Sequence, residues 1–231
     1  MSEAGEAPRG AASGPAAPGG TYRLVVLASG NGSNLQALID GLHGRAAGPG
    51  APVIQIALVV SDQPGARALE RAALAGIPTA LCGPDEAGTR ETQEAAILAA
   101  VREAAPDLVV LAGYMRIVPP KFVRAFPWRI INLHPALLPA FPGTNSIAEV
   151  LHHGVKVTGV TVHFVDEGLD TGPIIAQEAV RVEEGDTRDT LAERIHRVEH
   201  ELLPRTIRLL AAGKVRPPLS GTRVVQVDWS E

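Results

Sequence analysis

The 231-residue sequence has a single cysteine, Cys82, so neither an intramolecular disulfide nor a cysteine-rich zinc site can form within it. It has no excess of basic residues: the formal net charge is -4, with no basic stripe of the kind that neutralises nucleic-acid phosphates. No apolar run is long enough for a membrane span or the core of a signal peptide. There is also no internal repeat. These absences favour a small-molecule ligand over nucleic acid or membrane, and a reducing, cytoplasmic setting. What remains is 45% hydrophobic, enough to bury one compact core.

Residues 1–20, rich in Ala, Gly, Pro and Ser, read as a disordered tail; 21–215 read as one domain, and 216–231 as a C-terminal tail. From Tyr22 the pattern turns regular. "YRLVVLA" is a short apolar run that leads through a glycine-rich turn into "SNLQALIDGL", with its apolar residues at helical spacing. The alternation repeats with "VIQIALVV" and "GARALERAALAG", "IPTALC" and "TRETQEAAILAAVREAA", and "DLVVLAG" and a short helix from Pro120 to Ala125. Such runs are too apolar for half-exposed strands. Runs buried on both faces and separated by helices predict an α/β fold with an open, mostly parallel sheet and helices on both faces. Beyond Ile130, "VKVTGVTVHFV" and "GPIIAQEAVRVE" alternate more visibly across a short polar loop, which predicts added antiparallel strands. A long C-terminal helix follows, with Leu191, Ile195, Val198 and Leu202 as its apolar stripe and Pro204 expected to kink or divide it.

Two features carry chemistry. "SGNGSNL", Ser29 to Leu35, lies between the first strand and first helix, where unpaired backbone N–H groups favour an anion. The dinucleotide fingerprint fails at its third glycine, occupied by Leu35, and a Walker loop fails for want of lysine. Two readings stand: a small monophosphate site, or an ordinary glycine turn with Ser33 or Asn34 as helix cap. The second feature is "IINLHPALLPAFPG". Asn132 and His134, two apart at a strand's end, share one face, and Pro135 holds His134 extended. An amide donor beside an imidazole suits a carbonyl carbon passing through a tetrahedral intermediate. "VDEGLDTGP" brings Asp166, Glu167 and Asp170 on a loop bounded by Gly168 and Gly172. A carboxylate beside an imidazole would keep it protonated, although solvated turn acids fit the same string.

Taken in order, "VVLASGNGSNLQALID", "PDLVVLAGYMRIV", "INLHPALLPAFPG" and "VTVHFVDEGLDTGPIIAQ" resemble the phosphoribosylglycinamide formyltransferases, folate-dependent enzymes of purine synthesis. The resemblance runs from about Tyr22 to Gly213. It implies a Rossmann-like formyltransferase fold and transfer of the formyl group of 10-formyltetrahydrofolate, as co-substrate and without a metal, to the amine of glycinamide ribonucleotide. It further implies that Gly32, Ser33 and Asn34 hold the ribonucleotide phosphate and that Glu199 contacts the same substrate. Asn132 and His134 would stabilise the oxyanion, with His134 protonating the departing folate amine and Asp170 keeping the imidazole charged. Arg90, Met115, Arg116, Ile117, Val118, Asn132 and Asp166 would meet the folate, and the protein would be a monomer or homodimer.

One position departs from the pattern. Many relatives have histidine two residues after "FPG", where this sequence has Asn145; Asn145 is expected to replace one hydrogen bond to Asp170 but not the charge. His163, alternating within a strand, fits both a structural and a site-bordering role, and the adjacent His152 and His153 read as a solvated pair. The rival readings are a 10-formyltetrahydrofolate hydrolase or a formyltransferase for aminoacyl-tRNA or an amino sugar. The first two usually carry an extra N- or C-terminal domain, for which the short tails here leave no room. A non-catalytic nucleotide-binding module, with Asp62 as the ribose acid, is the rival of another class.

Overall fold

A computed structural model describes residues 19–83 and 88–230. The expected disordered segment lies almost wholly outside the described residues. The first strand, β1 (Thr21–Leu27), enters the glycine loop and then α1 (Ser33–Leu42). A two-residue strand β2 (Arg45–Ala46) is followed by β3 (Val53–Ser61), α2 (Arg67–Leu74) and β4 (Thr79–Leu81). Next come α3 (Arg90–Glu103), β5 (Leu108–Leu111), α4 (Pro120–Ala125) and β6 (Ile130–His134). The chain continues through α5 (Ser146–His153), β7 (Val157–Phe164), β8 (Ile174–Arg181) and α6 (Arg188–Ala211). β9 (Val215–Arg216) and β10 (Gln226–Val227) form a small antiparallel pair.

The main sheet runs β2-β3-β1-β5-β6-β7-β8, with β4 also pairing β3. β1, β3, β4, β5 and β6 are parallel; β7 and β8 extend the sheet antiparallel beyond β6. Alternation along β1 explains why the sheet is covered on both sides. Leu24 and Val26 join one core with Leu35 and Leu38 of α1 and Leu191 and Ile195 of α6. Val25 and Leu27 join the other, with Ile97 of α3 and Phe122 of α4. All four β1 side chains are no more than 1% exposed, and full burial of each contributes roughly 1.5–3 kcal/mol before conformational entropy is charged.

The chain order reverses direction at β1, with β3 on one side and β5 on the other, which opens a crevice at the carboxyl ends of these strands. Ser29 N–H donates to the Gly113 carbonyl at 3.1 Å, and Met115 N–H to Ser29 Oγ at 3.0 Å, lacing the two strand ends together. Two expectations are corrected here. α6 runs unbroken through Pro204, which is buried in the packed face, so tertiary packing overrides the proline's tendency to divide the helix. The segment after Val215 folds back: β10 pairs with β9, and the Arg205 guanidinium lies 4.6 Å from the Trp229 ring centroid.

Gly32 shows why this loop needs glycine. Its φ is +74°, and a Cβ there would meet Ala68 Cα of α2 at 2.8 Å. Close helix packing, the job of a third glycine in dinucleotide sites, is thus served by Gly32 against α2. Gly32→Ala is expected to cost about 1–3 kcal/mol from strain and overpacking, read as a lower urea midpoint at unchanged m-value. An unchanged midpoint would contradict the packing argument.

Candidate active site

The crevice is a cavity of about 400 Å³, within the range for small-molecule sites, and is lined by residues of the α1 start, the β5 and β6 ends, the α5 start, the β7–β8 loop and α6. Antiparallel pairing sets its chemistry: Asn132 lies opposite His163, and His134 opposite Thr161. Asn132, His134, His163 and Asp170 therefore meet at one place. His134 Nδ1 is 3.4 Å from Asp170 Oδ2, and His163 Nε2 is 3.7 Å from Oδ1. Asn132 Nδ2 faces Asp170 Oδ1 at 3.3 Å and His163 Nε2 at 3.2 Å.

Carbonyl partners fix both tautomers, because a carbonyl only accepts. His134 Nε2 donates to Phe141 O at 2.8 Å, so Nε2 carries hydrogen and Nδ1 faces the carboxylate. His163 Nδ1 donates to Phe164 O at 2.8 Å, which turns Nε2 toward Asn132 and the Asp170 carboxylate. Burial pushes the Asp170 carboxyl upward, but the His163 imidazole, the Gly143 N–H at 2.8 Å and His134 outweigh it and bring the pKa to about 2. The net shift of His134 runs against the sign expected from Asp170 alone. Burial lowers the imidazole pKa by more than the bond to Phe141 and the charges of Asp170 and Glu199 raise it.

The loop from Asp166 is tightly built. Asp166 Oδ1 accepts from Gly168 N–H at 3.0 Å and Thr171 Oγ1 at 2.7 Å, so its carboxylate shapes the loop. A Cβ on Gly172 would lie 1.6 Å from Phe164 O. Asp170 itself has φ +52°, and Phe141, whose carbonyl holds His134, has φ +54°; non-glycine residues rarely adopt this conformation and do so where surrounding structure enforces it.

Elsewhere in the cavity wall, Glu199 is 4% exposed and its Oε2 accepts from Asn34 Nδ2 at 2.9 Å and His196 Nδ1 at 2.8 Å. That hydrogen bond raises the His196 pKa against the opposing effect of burial. Asn34 Oδ1 is buried with no hydrogen-bond partner among the described residues. Of the glycine-loop residues Gly32, Ser33 and Asn34, Asn34 is the one that lines the cavity. Neither Ser33 nor Asn34 caps α1: Gly32 holds the N-cap position, and the Asn34 amide is committed to Glu199.

Met115, Arg116, Ile117 and Val118 all line the cavity. Met115 and Ile117 are 65% and 59% exposed, an apolar rim joined from across the mouth by Leu169. The Arg116 guanidinium turns to the buried Gln93, whose amide also donates to the Cys82 carbonyl. Arg90 is not brought together with these residues. It opens α3 with its Nε held by Glu94 at 2.8 Å and its side chain 65% exposed. Asn145 is exposed, and among the described residues the hydrogen-bond donors to Asp170 are Asn132 and Gly143, so the bond expected from Asn145 is not made. Asp62 is spoken for as well, accepting from Ser29 Oγ at 2.6 Å and Gln63 Nε2 at 3.0 Å, which removes it as a ribose acid.

Sequence reasoning missed His196, Ser146 and the full part played by His163. For His163 the signal was present: a polar residue in the apolar "VTVHFV", whose partner depends on register. Ser146 and His196 offered none, because each acquires meaning only from a neighbour distant in sequence.

A family model described as formyl transferase matches residues 22–207. The chain is 44% identical, over 83% of its length, to the trifunctional purine biosynthetic protein adenosine-3 of Drosophila melanogaster, of which it spans 14%. It is 43% identical, over 81% of its length, to phosphoribosylglycinamide formyltransferase of Bacillus subtilis, covering 94% of that protein. The crystal structure of glycinamide ribonucleotide transformylase 1 from Symbiobacterium toebii superposes with a TM-score of 0.81 at 43% identity, covering 90% of this chain and 94% of the other.

The depressed Asp170 pKa has a consequence for stability. Its ionised form contributes at neutral pH, and the contribution is lost as pH falls from about 3.8, the ordinary value, through about 2. Asp170→Asn is expected to be about 1–2 kcal/mol less stable than wild type at pH 7 in urea unfolding, with the gap closing across that acid window. A gap that persists unchanged to pH 2 would contradict the electrostatic origin.

Proposed function

The chain belongs to the formyl transferase family, and from that premise together with the site geometry we propose that it transfers the formyl group of 10-formyltetrahydrofolate to the amine of glycinamide ribonucleotide in purine synthesis. The observation that carries this reading is the knot of Asn132, His134 and ionised Asp170 at the inner end of a cavity with an apolar rim. That rim suits the flat aromatic body of a folate. The N-terminus of α1, with Asn34 and Glu199, suits a phosphorylated, hydroxyl-bearing acceptor, and the unpartnered Asn34 Oδ1 offers an acceptor for one of its donors.

An amine nucleophile requires no activated serine or cysteine. Catalysis then rests on orientation, on stabilising the oxygen that becomes negative, and on moving one proton from the attacking nitrogen to the departing folate nitrogen. Asn132 Nδ2 has two hydrogens, directed at Asp170 and His163 before substrate binds; a formyl oxygen entering beside it would take over one of them. Neutral His134 presents Nδ1 as a proton acceptor, and Asp170 stabilises the cation formed there. Nδ1 then returns the proton to the leaving amine. Formyl-folate acts as co-substrate, and no step calls for a metal.

The decisive assay follows tetrahydrofolate release from 10-formyltetrahydrofolate with and without glycinamide ribonucleotide. Ribonucleotide-dependent release is expected. Release without it would identify a hydrolase, and binding without turnover a sensor. Asn132→Ala should lower kcat about 10²- to 10³-fold, as for loss of one oxyanion donor, and His134→Ala at least as much. Near-normal transfer by His134→Ala would sink the mechanism.

A further inference from the structure

We propose that Ser146 is a positioning residue for His134: together with the Phe141 carbonyl it keeps the proton on Nε2 and leaves Nδ1 as the nitrogen facing Asp170. The kinetic part of this proposal rests on the formyl-transfer reading; the structural part does not. Ser146 is the first residue of α5 and is 1% exposed. Its hydroxyl has one hydrogen, donated to Gly143 O at 2.9 Å. The oxygen is thereby left as an acceptor 3.3 Å from His134 Nε2. Phe141 O, at 2.8 Å, is a second acceptor for the same N–H. Two acceptors facing Nε2 keep it protonated in the neutral and charged imidazole alike, so the proton gained and lost during turnover belongs to Nδ1.

The backbone of Gly143 links Ser146 to the carboxylate. Gly143, whose carbonyl takes the Ser146 hydrogen, donates its N–H to Asp170 Oδ2 at 2.8 Å, and the same oxygen lies 3.4 Å from His134 Nδ1. Ser146 is thus hydrogen-bonded to the imidazole on one side and, through Gly143, to the carboxylate on the other, and Asp170 meets Nδ1 as an ion pair once that nitrogen takes a proton. The titratable groups acting on the imidazole are Asp170, His163 and Glu199, on three different parts of the chain. Ser146 carries no charge; its effect is on which nitrogen is free and where it points. Asn145 marks the departure visible in sequence, but the residue that reaches the imidazole is its neighbour.

The test is ¹⁵N-histidine NMR of the full chain combined with steady-state kinetics of Ser146→Ala and Ser146→Thr. Wild-type His134 is expected as the Nε2–H tautomer at neutral pH. Ser146→Ala should show a growing Nδ1–H fraction and a kcat lower by about 3- to 10-fold with KM for both substrates little changed, the scale of one hydrogen bond. Ser146→Thr, which returns the hydroxyl, should restore both. Wild-type His134 found as Nδ1–H would overturn the proposal, as would Ser146→Ala with unaltered ¹⁵N shifts and unaltered kcat. Should the alanine variant fail to fold, Ser146→Cys, close in volume but a weak hydrogen-bonding partner, reads the same two quantities. Absence of formyl transfer in wild type would remove the functional reading, while the tautomer result would still decide the role of Ser146.

Discussion

Asp170 sits ionised with its side chain only 11% exposed and its backbone in a left-handed turn. A lone carboxylate in such a place would be costly and would protonate. Here it stays charged because the His163 imidazole faces Oδ1, the Gly143 N–H donates to Oδ2 and His134 lies beside it. Satisfying that one charge fixes much else. It pins the proline-rich loop after β6 through Gly143, it pins the β7–β8 loop through Asp170's own turn, and it draws Asn132 and two imidazoles to a single point.

The fold was largely legible because burial on both faces writes itself into sequence as unbroken apolar runs, and each of "LVVL", "IQIALVV" and "DLVVLAG" became a parallel strand or its immediate end. Local signals failed where tertiary packing prevailed. Pro204 forbids one intrahelical bond, yet α6 is packed against α1 and the sheet along its length and continues through it. The C-terminal segment offered few apolar residues and read as a tail; pairing of β9 with β10 and the Trp229 contact are long-range facts.

For the site, side-chain identity and strand-end position were enough to single out Asn132 and His134, since period two places both on one face. The partnership with Asp170 was not deducible from spacing, for it depends on β6·β7 register and on a loop that returns after thirty-odd residues. The sign of the His134 perturbation was also hidden. Sequence shows a carboxylate and an imidazole and invites the inference of attraction; only the depth of the site reveals that losing water weighs more.

On the proposed reaction, that reversal divides the labour within the pair. A fully charged imidazole beside a carboxylate would be a stable ion pair with no vacancy for a proton from the attacking amine. A neutral imidazole with Nδ1 bare has that vacancy, and the neighbouring carboxylate makes filling it easier without itself becoming the proton's resting place, since its pKa lies near 2. Only His134 departs from what attraction alone would give: burial unloads its imidazole, while Asp170 stays charged, as attraction favours, in spite of burial. A site so arranged can take a proton from one nitrogen and give it to another at the same atom, which is the one acid–base task that moving a formyl group between two amines demands.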